Sequence, residues 1–579
     1  MEKENQKALL LDSILLGIVG ALGAQLFLFL LKLVNKYALN ILAGYKAPGL
    51  PNMGGTLVQT MGQHSGLIII GVIVLGGLIS GFIIYTWAPE AEGHGTDTAV
   101  RAFHRTGGFI RSRVTPLKII ASAITIGTGG SAGREGPTAL FSSGIGSIYA
   151  SIKKSSNRER RLLVLIGMAA GLSAIFRAPI GTAIFAVEVL YNDMDFEADA
   201  LVYTLLGSIV AYIVNGFFVG WLPLFSIPGN LIATDASTLF YLVLLGAFSG
   251  VIGVILPNVF YGIRDLFHKI PIKPHFKPAI GALLVGLLAL FFPQVLGGGY
   301  GWIQKSINGE ILLWALPLIF IAKMFAFAFT VSSGGSGGVF APSLFLGATL
   351  GSFVALLFGQ PPAIFAVIGM AAVFGSTARV PLATLIMVTE MTGGYNLLGP
   401  AVLAVITAFL LQVYLVKALK PKYKSLYEAQ VPSKSFSPVH QIDELRNILS
   451  FYKQQLSLTG VPIEAHDLLN LLESSIPIDI SDNRQLFFGS LNNNYQLEER
   501  KEGKLTLFTY KKSRVLAIFR EGNWLFPDSE LTLKKGDELL LVGHREIIEK
   551  IRKDFTAISM IFSSLREQHQ KMIKLIEKK

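Results

Sequence analysis

Glu135 is the residue best placed in this chain for acid–base chemistry. It stands in Gly129-Gly-Ser-Ala-Gly-Arg-Glu-Gly-Pro137, a glycine-rich stretch with apolar sequence on both sides. A carboxylate in such surroundings is costly and marks a functional candidate. Gly334-Gly-Ser-Gly-Gly-Val-Phe-Ala-Pro342 repeats the pattern without the acid. Each segment ends in Pro before an apolar run, and Pro favours the first helical turn, so each reads as a loop feeding a helix N-terminus. Such a terminus offers free backbone N–H groups and the positive end of a helix dipole. Glycine lets that backbone approach a solute closely. Two such termini, converging, could hold one anion by partial charges, where a full Lys or Arg countercharge would trap it. Glu135 could fill the anion position when ionised and leave it when protonated. The competing readings are close helix packing through small residues for the glycines, and a salt bridge to Arg134 for Glu135.

The elements that position these groups are duplicated. Lys118–Pro137 and Lys323–Pro342 align at a constant offset of 205, sharing Lys, two Ala, Thr, Gly-Gly-Ser, Gly and Pro. Gly167-Met-Ala-Ala170, Arg177-Ala-Pro179 and Glu188 match Gly369-Met-Ala-Ala372, Arg379-Val-Pro381 and Glu390 at an offset of 202. Repeated membrane proteins place a solute site between their halves. Lys118 and Lys323, at equivalent positions before the two loops, are expected to shape the field along that path. Glu188 and Glu390, symmetric nine residues after a Pro, are expected to serve helix packing.

Composition sets these segments in a membrane. Hydrophobic residues make up 51% and charged residues 15%, and mean hydropathy is +0.54. Runs able to cross a hydrocarbon core of about 30 Å occur at Ile14–Val34, Gly66–Trp87, Leu201–Val219, Leu239–Val259, Ile311–Thr330 and Pro400–Val416. Ala139–Ala150 and Leu162–Ile175 are too short or too glycine-interrupted to span alone, and such segments belong inside a protein that lines a polar path. Ile14–Val34 is too long for a signal peptide and has no clear cleavage site, so it reads as a retained helix. The chain has no cysteine, which removes disulfides, thiolate metal sites and cysteine nucleophiles. A net charge of +12 is concentrated near Lys153-Lys154, Arg158–Arg161, Lys417–Lys424 and the C-terminus. Basic loops beside short spans mark the cytoplasmic side, so this charge speaks for topology and against nucleic acid. No His/Asp/Glu cluster recurs at metal-ligand spacing, so neither a metal site nor an enzyme is expected.

With these residues in view the chain resembles the CLC family of chloride channels and chloride/proton antiporters. Gly133-Arg-Glu-Gly-Pro137 matches its GREGP motif and Gly338-Val-Phe-Ala-Pro342 its GxFxP motif, while Pro89-Glu-Ala-Glu-Gly-His-Gly95 sits where GSGIP is usual. The resemblance covers about Gly17 to Val431. It implies a multi-pass α-helical membrane protein of two inverted repeats, a homodimer in membrane lipid with one path for inorganic anions, chiefly chloride, per subunit and no cofactor. Glu135 takes the place of the gating glutamate. The resemblance puts the amides of Val339, Phe340 and the adjoining Ala341 at a central anion site, and those of Arg134, Glu135 and Gly136 at an outer one. Tyr427 best matches the hydroxyl that closes the central site from inside, with Tyr423 as the alternative. His94 replaces the usual serine and joins the anion-binding set, and Asp97 replaces a proline. Val189 stands where antiporters often carry a second, proton-accepting glutamate. Since Val cannot ionise, the expectation is a passive channel or proton-uncoupled chloride transporter, with a chloride/proton antiporter as the alternative.

The composition turns polar after Lys420-Pro421-Lys422, which divides the chain into a membrane region, residues 1–431, and a regulatory region, residues 432–579, expected to be a small α+β domain in the cytoplasm of a prokaryotic cell. Helix-like Gln441–Lys453 and His466–Ser475 precede strand-like Leu505–Tyr510 and Val515–Phe519. Phe526-Pro-Asp528 then leads through Leu533–Gly543 to helix-like Arg545–Asp554. Residues 500–554 resemble the C-terminal lobe of RCK domains (TrkA-C). That resemblance implies a dimeric module binding a small effector, with cyclic di-AMP the candidate, and a plasma-membrane location for the whole.

Overall fold

The computed structural model describes residues 3–62, 65–229, 231, 233, 235–440, 478–481, 484–502, 505–520, 523–525, 527 and 531–556. The chain divides into two compact units, Met1–Lys434 and Ser435–Lys579.

In the first unit, eight α-helices are followed by eight counterparts. The first set is α1 (Lys3–Asn35), α2 (Ser65–Trp87), α3 (Thr96–Arg105), α4 (Val114–Gly127), α5 (Glu135–Ile152), α6 (Asn157–Phe176), α7 (Pro179–Glu188) and α8 (Ala198–Val219). The second is α9 (Ala236–Lys269), α10 (Lys277–Phe291), α11 (Tyr300–Ile307), α12 (Ala315–Ser332), α13 (Phe340–Leu357), α14 (Pro362–Ala378), α15 (Pro381–Thr392) and α16 (Leu398–Leu419). Packing repeats as well: α5 lies along α6 as α13 lies along α14, and α1 meets α8 as α9 meets α16. Across the halves α2 packs on α10 and α7 on α15. This is a helical membrane fold of two inverted repeats, carrying a small β-containing domain.

Local sequence explains the breaks between helices. α6 opens on a capping box, in which the Ser156 side chain accepts from the Glu159 N–H and the Glu159 carboxylate accepts from the Ser156 N–H. It closes at Arg177, and α14 closes at Arg379, both non-glycine residues in the left-handed region (φ 57° and 56°). One extended residue and a Pro follow each, and the Pro sets the first turn of α7 or α15. The chain therefore reverses twice in the same way, once per half.

Among the described residues, eight helical segments are long and apolar enough to cross a membrane: Gln6–Leu42, Gly66–Trp87, Ala198–Val219, Ala236–Lys269, Pro274–Phe291, Ala315–Ser332, Phe340–Leu357 and Tyr395–Leu419. Two of these, Pro274–Phe291 and Phe340–Leu357, lie outside the six apolar runs of the sequence. Pro274–Phe291 is interrupted by Pro278, Gly281 and Gly286, and Phe340–Leu357 is largely buried and glycine-broken. α5 and α6 are likewise buried along most of their length, as short or interrupted apolar segments inside a path-lining protein should be.

The first unit also carries the short pair β1 (Tyr45–Lys46) and β2 (Thr60–Met61), and the second the pair β5 (Tyr495–Gln496) and β10 (Thr532–Leu533). Among its described residues the second unit is built on an antiparallel sheet of eight strands: β3 (Ile478–Ser481), β4 (Arg484–Leu491), β6 (Glu498–Glu502), β7 (Leu505–Tyr510), β8 (Ser513–Arg520), β9 (Asn523–Leu525), β11 (Glu538–His544) and β12 (Phe555–Thr556). The path runs β12-β4-β11-β8-β7-β6, with β3 on β4 and β9 on β8. β7, β8 and β11 fall where alternation and apolar runs place strands, and a helix over Arg545–Ile551 follows β11. Phe487, Leu539, Leu541, Ile548 and Ile551 pack as its core. The expected helices over 441–453 and 466–475 lie outside the described residues, as do Phe526 and Asp528.

Candidate functional site

The two glycine-rich loops meet. Gly133 N–H donates to the Gly338 carbonyl (2.7 Å) and Gly338 N–H donates back to Gly133 (2.6 Å), a two-bond antiparallel bridge at equivalent positions of the repeats. Ser122 Oγ and Ser336 Oγ are bonded at 2.7 Å, and the Ser131 N–H donates to Thr330 Oγ1 at 2.9 Å. The approach leaves no room for side chains. A Cβ on Gly136 would overlap the His94 carbonyl oxygen, and one on Gly338 would lie 2.6 Å from the Gly136 nitrogen.

Buried polar groups brace this centre in matched pairs. Lys118 Nζ donates to the Ala91 and Gly93 carbonyls (2.8 and 2.7 Å). Lys323 Nζ does the same for Val295 and Gly297 (2.9 and 2.7 Å). Both lysines are fully buried. Here they hold loops rather than line either cavity described below. Glu188 accepts from the Leu382 and Ala383 N–H groups (3.2 and 2.7 Å) at the start of α15. Glu390 accepts from Ile180 and Gly181 (3.1 and 2.8 Å) at the start of α7. Each carboxylate thus occupies the positive end of its counterpart's partner helix, the packing role expected of the pair.

Glu135 opens α5, and Pro137 lies in that helix's first turn; Phe340 opens α13, with Pro342 in its first turn. Neither residue preceding these helices, Arg134 or Val339, caps its own helix with its side chain. Glu135 is 2% exposed. Its Oε2 accepts from the Ala341 N–H at 3.4 Å, and among the described residues Oε1 has no partner. The carboxylate therefore reaches from one helix N-terminus toward the other. Arg134 points elsewhere, its guanidinium 4.4 Å from the centre of the Tyr300 ring and 3.8 Å from Met53 Sδ. Among the described residues no ion pair joins Arg134 to Glu135, so the salt-bridge reading finds no support.

Glu135, Gly136, Phe340 and Tyr427 border one cavity of about 10 Å³ together with Thr96 and Met387, space for about one water molecule. Val339 and Ala341 flank Phe340 and are buried. Tyr427 enters this cavity, whereas the Tyr423 hydroxyl is bonded to the Asp265 carboxylate (2.8 and 3.0 Å). His94 borders a second, polar cavity of about 290 Å³ with Glu92, Asp97, Arg101, Tyr261, Arg264 and Glu428. Its Nε2 lies 3.1 Å from Asp97 Oδ2, and its ring 5.5 Å from that of Tyr427. Val189 is fully buried beyond the end of α7 and borders neither cavity. Sequence reasoning missed Thr96, Phe176, Phe185 and Met387 at the small cavity. Only Thr96 carried a signal, as the first helical residue after Gly95, whose φ is 88°.

Residues 76–412 match the family model described as voltage gated chloride channel. Two relatives, each named H(+)/Cl(-) exchange transporter ClcA, come from Salmonella agona (strain SL483) and Salmonella gallinarum (strain 287/91 / NCTC 13346). Each is 31% identical over 388 residues, 64% of this chain and 81% of theirs. A solved slow cyanobacterial Cl−/H+ antiporter superposes with a TM-score of 0.61 at 22% identity, covering 72% of this chain and 96% of its own. A CLC-type fluoride/proton antiporter does so at 0.63 and 23%, covering 75% and 100%. Relatives named as exchangers overturn the expectation of a passive channel or uncoupled transporter. That expectation drew a conclusion about a whole path from Val189 alone, yet a proton needs only some chain of titrating groups, and Val189 removes one. The chain belongs to the voltage gated chloride channel (CLC) family.

Proposed function

We propose that this protein exchanges chloride for protons across a membrane, with Glu135 as both gate and proton acceptor. The observation that carries the reading is the buried Glu135 carboxylate, which bonds the first turn of α13 through one oxygen and leaves the other unpaired. Ionised, it competes with chloride for the same N–H groups; protonated, it loses the charge that the helix termini favour and swings away. Chloride entry and proton uptake then become alternative occupations of one position. The amides of Val339, Phe340 and Ala341 serve the central anion, those of Arg134, Glu135 and Gly136 an outer one, and Tyr427 closes the small cavity. A Glu135→Gln variant in liposomes tests this. It should mimic protonation, raise anion flux at neutral pH, flatten the pH dependence and abolish proton movement. Unchanged flux and pH response would remove Glu135 from the gate.

Around this path we place a homodimer in a prokaryotic plasma membrane, with residues 1–431 as transport domain and residues 432–579 as a cytoplasmic regulatory region. The support is the basic Lys417–Lys424 junction and the β7–β8–β11 pattern of a TrkA-C-like lobe at 500–554. A small ligand, with cyclic di-AMP the first to try, would shift transport by its affinity difference between states, about five- to a hundredfold for couplings of 1–3 kcal/mol. Chloride flux from intact and truncated protein, with and without the nucleotide, decides this. No change in either arm leaves an assembly module.

A further inference from the structure

His94 and Asp97 form a buried acid–base pair that the exchange reading leaves unused. They stand just before and within the first turn of α3, at 6% and intermediate exposure. His94 Nε2 lies 3.1 Å from Asp97 Oδ2. A carboxylate there fixes the tautomer with the proton on Nε2, so Nδ1 carries the free lone pair. Among the described residues that buried Nδ1 has no partner. Asp97 is itself held in place: it accepts from the Ala429 and Glu428 N–H groups (3.2 and 3.3 Å) and from the Tyr261 hydroxyl (3.3 Å).

Position makes the pair more than a packing feature. Both residues border the polar 290 Å³ cavity. The His94 ring is 5.5 Å from that of Tyr427, and Tyr427 borders the small cavity that contains Glu135. Thr96, between the two members of the pair, borders it too. The His94 carbonyl packs on Gly136, next to Glu135. Charged and titrating groups face the pair from every side: Glu92 and Arg101 from its own segment, Arg264 and His268 from α9, Glu428 beside Tyr427, and Lys118 through the Gly93 carbonyl. Glu90 borders the same cavity, and among the described residues it is Asp97, not one of these groups, that pairs with the imidazole.

We propose, on the exchange reading above, that His94 with Asp97 is the inner proton relay, doing the work of the glutamate that Val189 lacks. A hydronium ion in the large cavity gives its extra proton to His94 Nδ1 and is left as water, and the imidazolium is balanced by the Asp97 carboxylate. The same proton leaves Nδ1 for a water or hydroxyl beside Tyr427 and Thr96 and ends on the Glu135 carboxylate, after which His94 is neutral again. Nothing is oxidised, and water is the only co-reactant.

Purified full-length protein in liposomes, with chloride release and external pH recorded together, gives the ratio of proton to chloride flux. His94→Gln keeps an amide that reaches Asp97 but cannot carry a proton, and its ratio should fall about tenfold or more. Asp97→Asn keeps an oxygen for the Ala429 N–H and should lower the ratio in the same direction. A merely structural role would lower both fluxes together and leave the ratio intact. A wild-type ratio in His94→Gln overturns the relay; if that variant passes no chloride, Asp97→Asn decides by the same criterion. Wild-type protein that moves no protons would instead sink the exchange reading, and the relay with it.

Discussion

The two halves of the membrane unit share a scaffold and divide the chemistry. Lysines brace both loops, glutamates cap both opposite helices, and left-handed arginines end both long helices. The titrating groups are one-sided. Phe340 stands opposite Glu135. Gly95 and Gly299, which precede α3 and α11, make Gly298 and Gly301 the counterparts of His94 and Asp97. On the proposed reading, duplication supplies two converging helix termini that suit an anion, and departure from symmetry supplies a proton path on one side only. A symmetric site could hold an anion; coupling it to protons needs the asymmetry.

The shared scaffold should break symmetrically. Glu188→Ala and Glu390→Ala each strand one buried and one part-buried N–H group and should destabilise the detergent-purified protein by roughly 1–3 kcal/mol, to similar extents. Thermal unfolding measures this, and a large loss in one alone would deny the reciprocal caps. The lysines separate scaffold from chemistry. Lys118→Met and Lys323→Met should each cost about 1–3 kcal/mol by leaving carbonyls unpaired. Only Lys118→Met, which frees the loop carrying His94, should also lower proton flux. Equal proton defects would argue against a one-sided path.

A buried carboxylate outside the repeats sharpens the contrast by its smaller effect. Glu538 of β11 is buried, among the described residues its Oε2 has no partner, and burial pushes it up to about 7. The folded tail therefore holds a proton that the unfolded chain has released. The stability tied to that proton is intact below the ordinary value near 4.5 and is lost as pH rises through about 7. Protease resistance of the tail in the intact protein should fall over that window, and Glu538→Gln should flatten the fall. The opposite slope would contradict it.

Much of this was legible in the chain because the repeat is local in character. Matched glycines, prolines and lysines announce two loop–helix junctions, and an acid in one of them stands out against apolar neighbours. Pairings across the halves were not legible: nothing in Glu188 says that its partners are Leu382 and Ala383. The Phe185 and Met387 walls of the small cavity read as ordinary apolar helix until the fold folds them inward. In the tail, β7 and β8 follow alternation, whereas β4, with Gly489 inside a mixed run, does not announce itself. Val189 misled for the same reason, since the titrating groups of the polar cavity are collected by the fold from the segment leading into α3, from α9 and from the segment after α16.

The exchange mechanism itself meets its most direct test in wild-type protein. Liposomes loaded with chloride and diluted into low chloride, with external pH recorded, should show protons driven against their own gradient in fixed proportion to chloride released. Chloride release that leaves external pH unmoved would contradict the account.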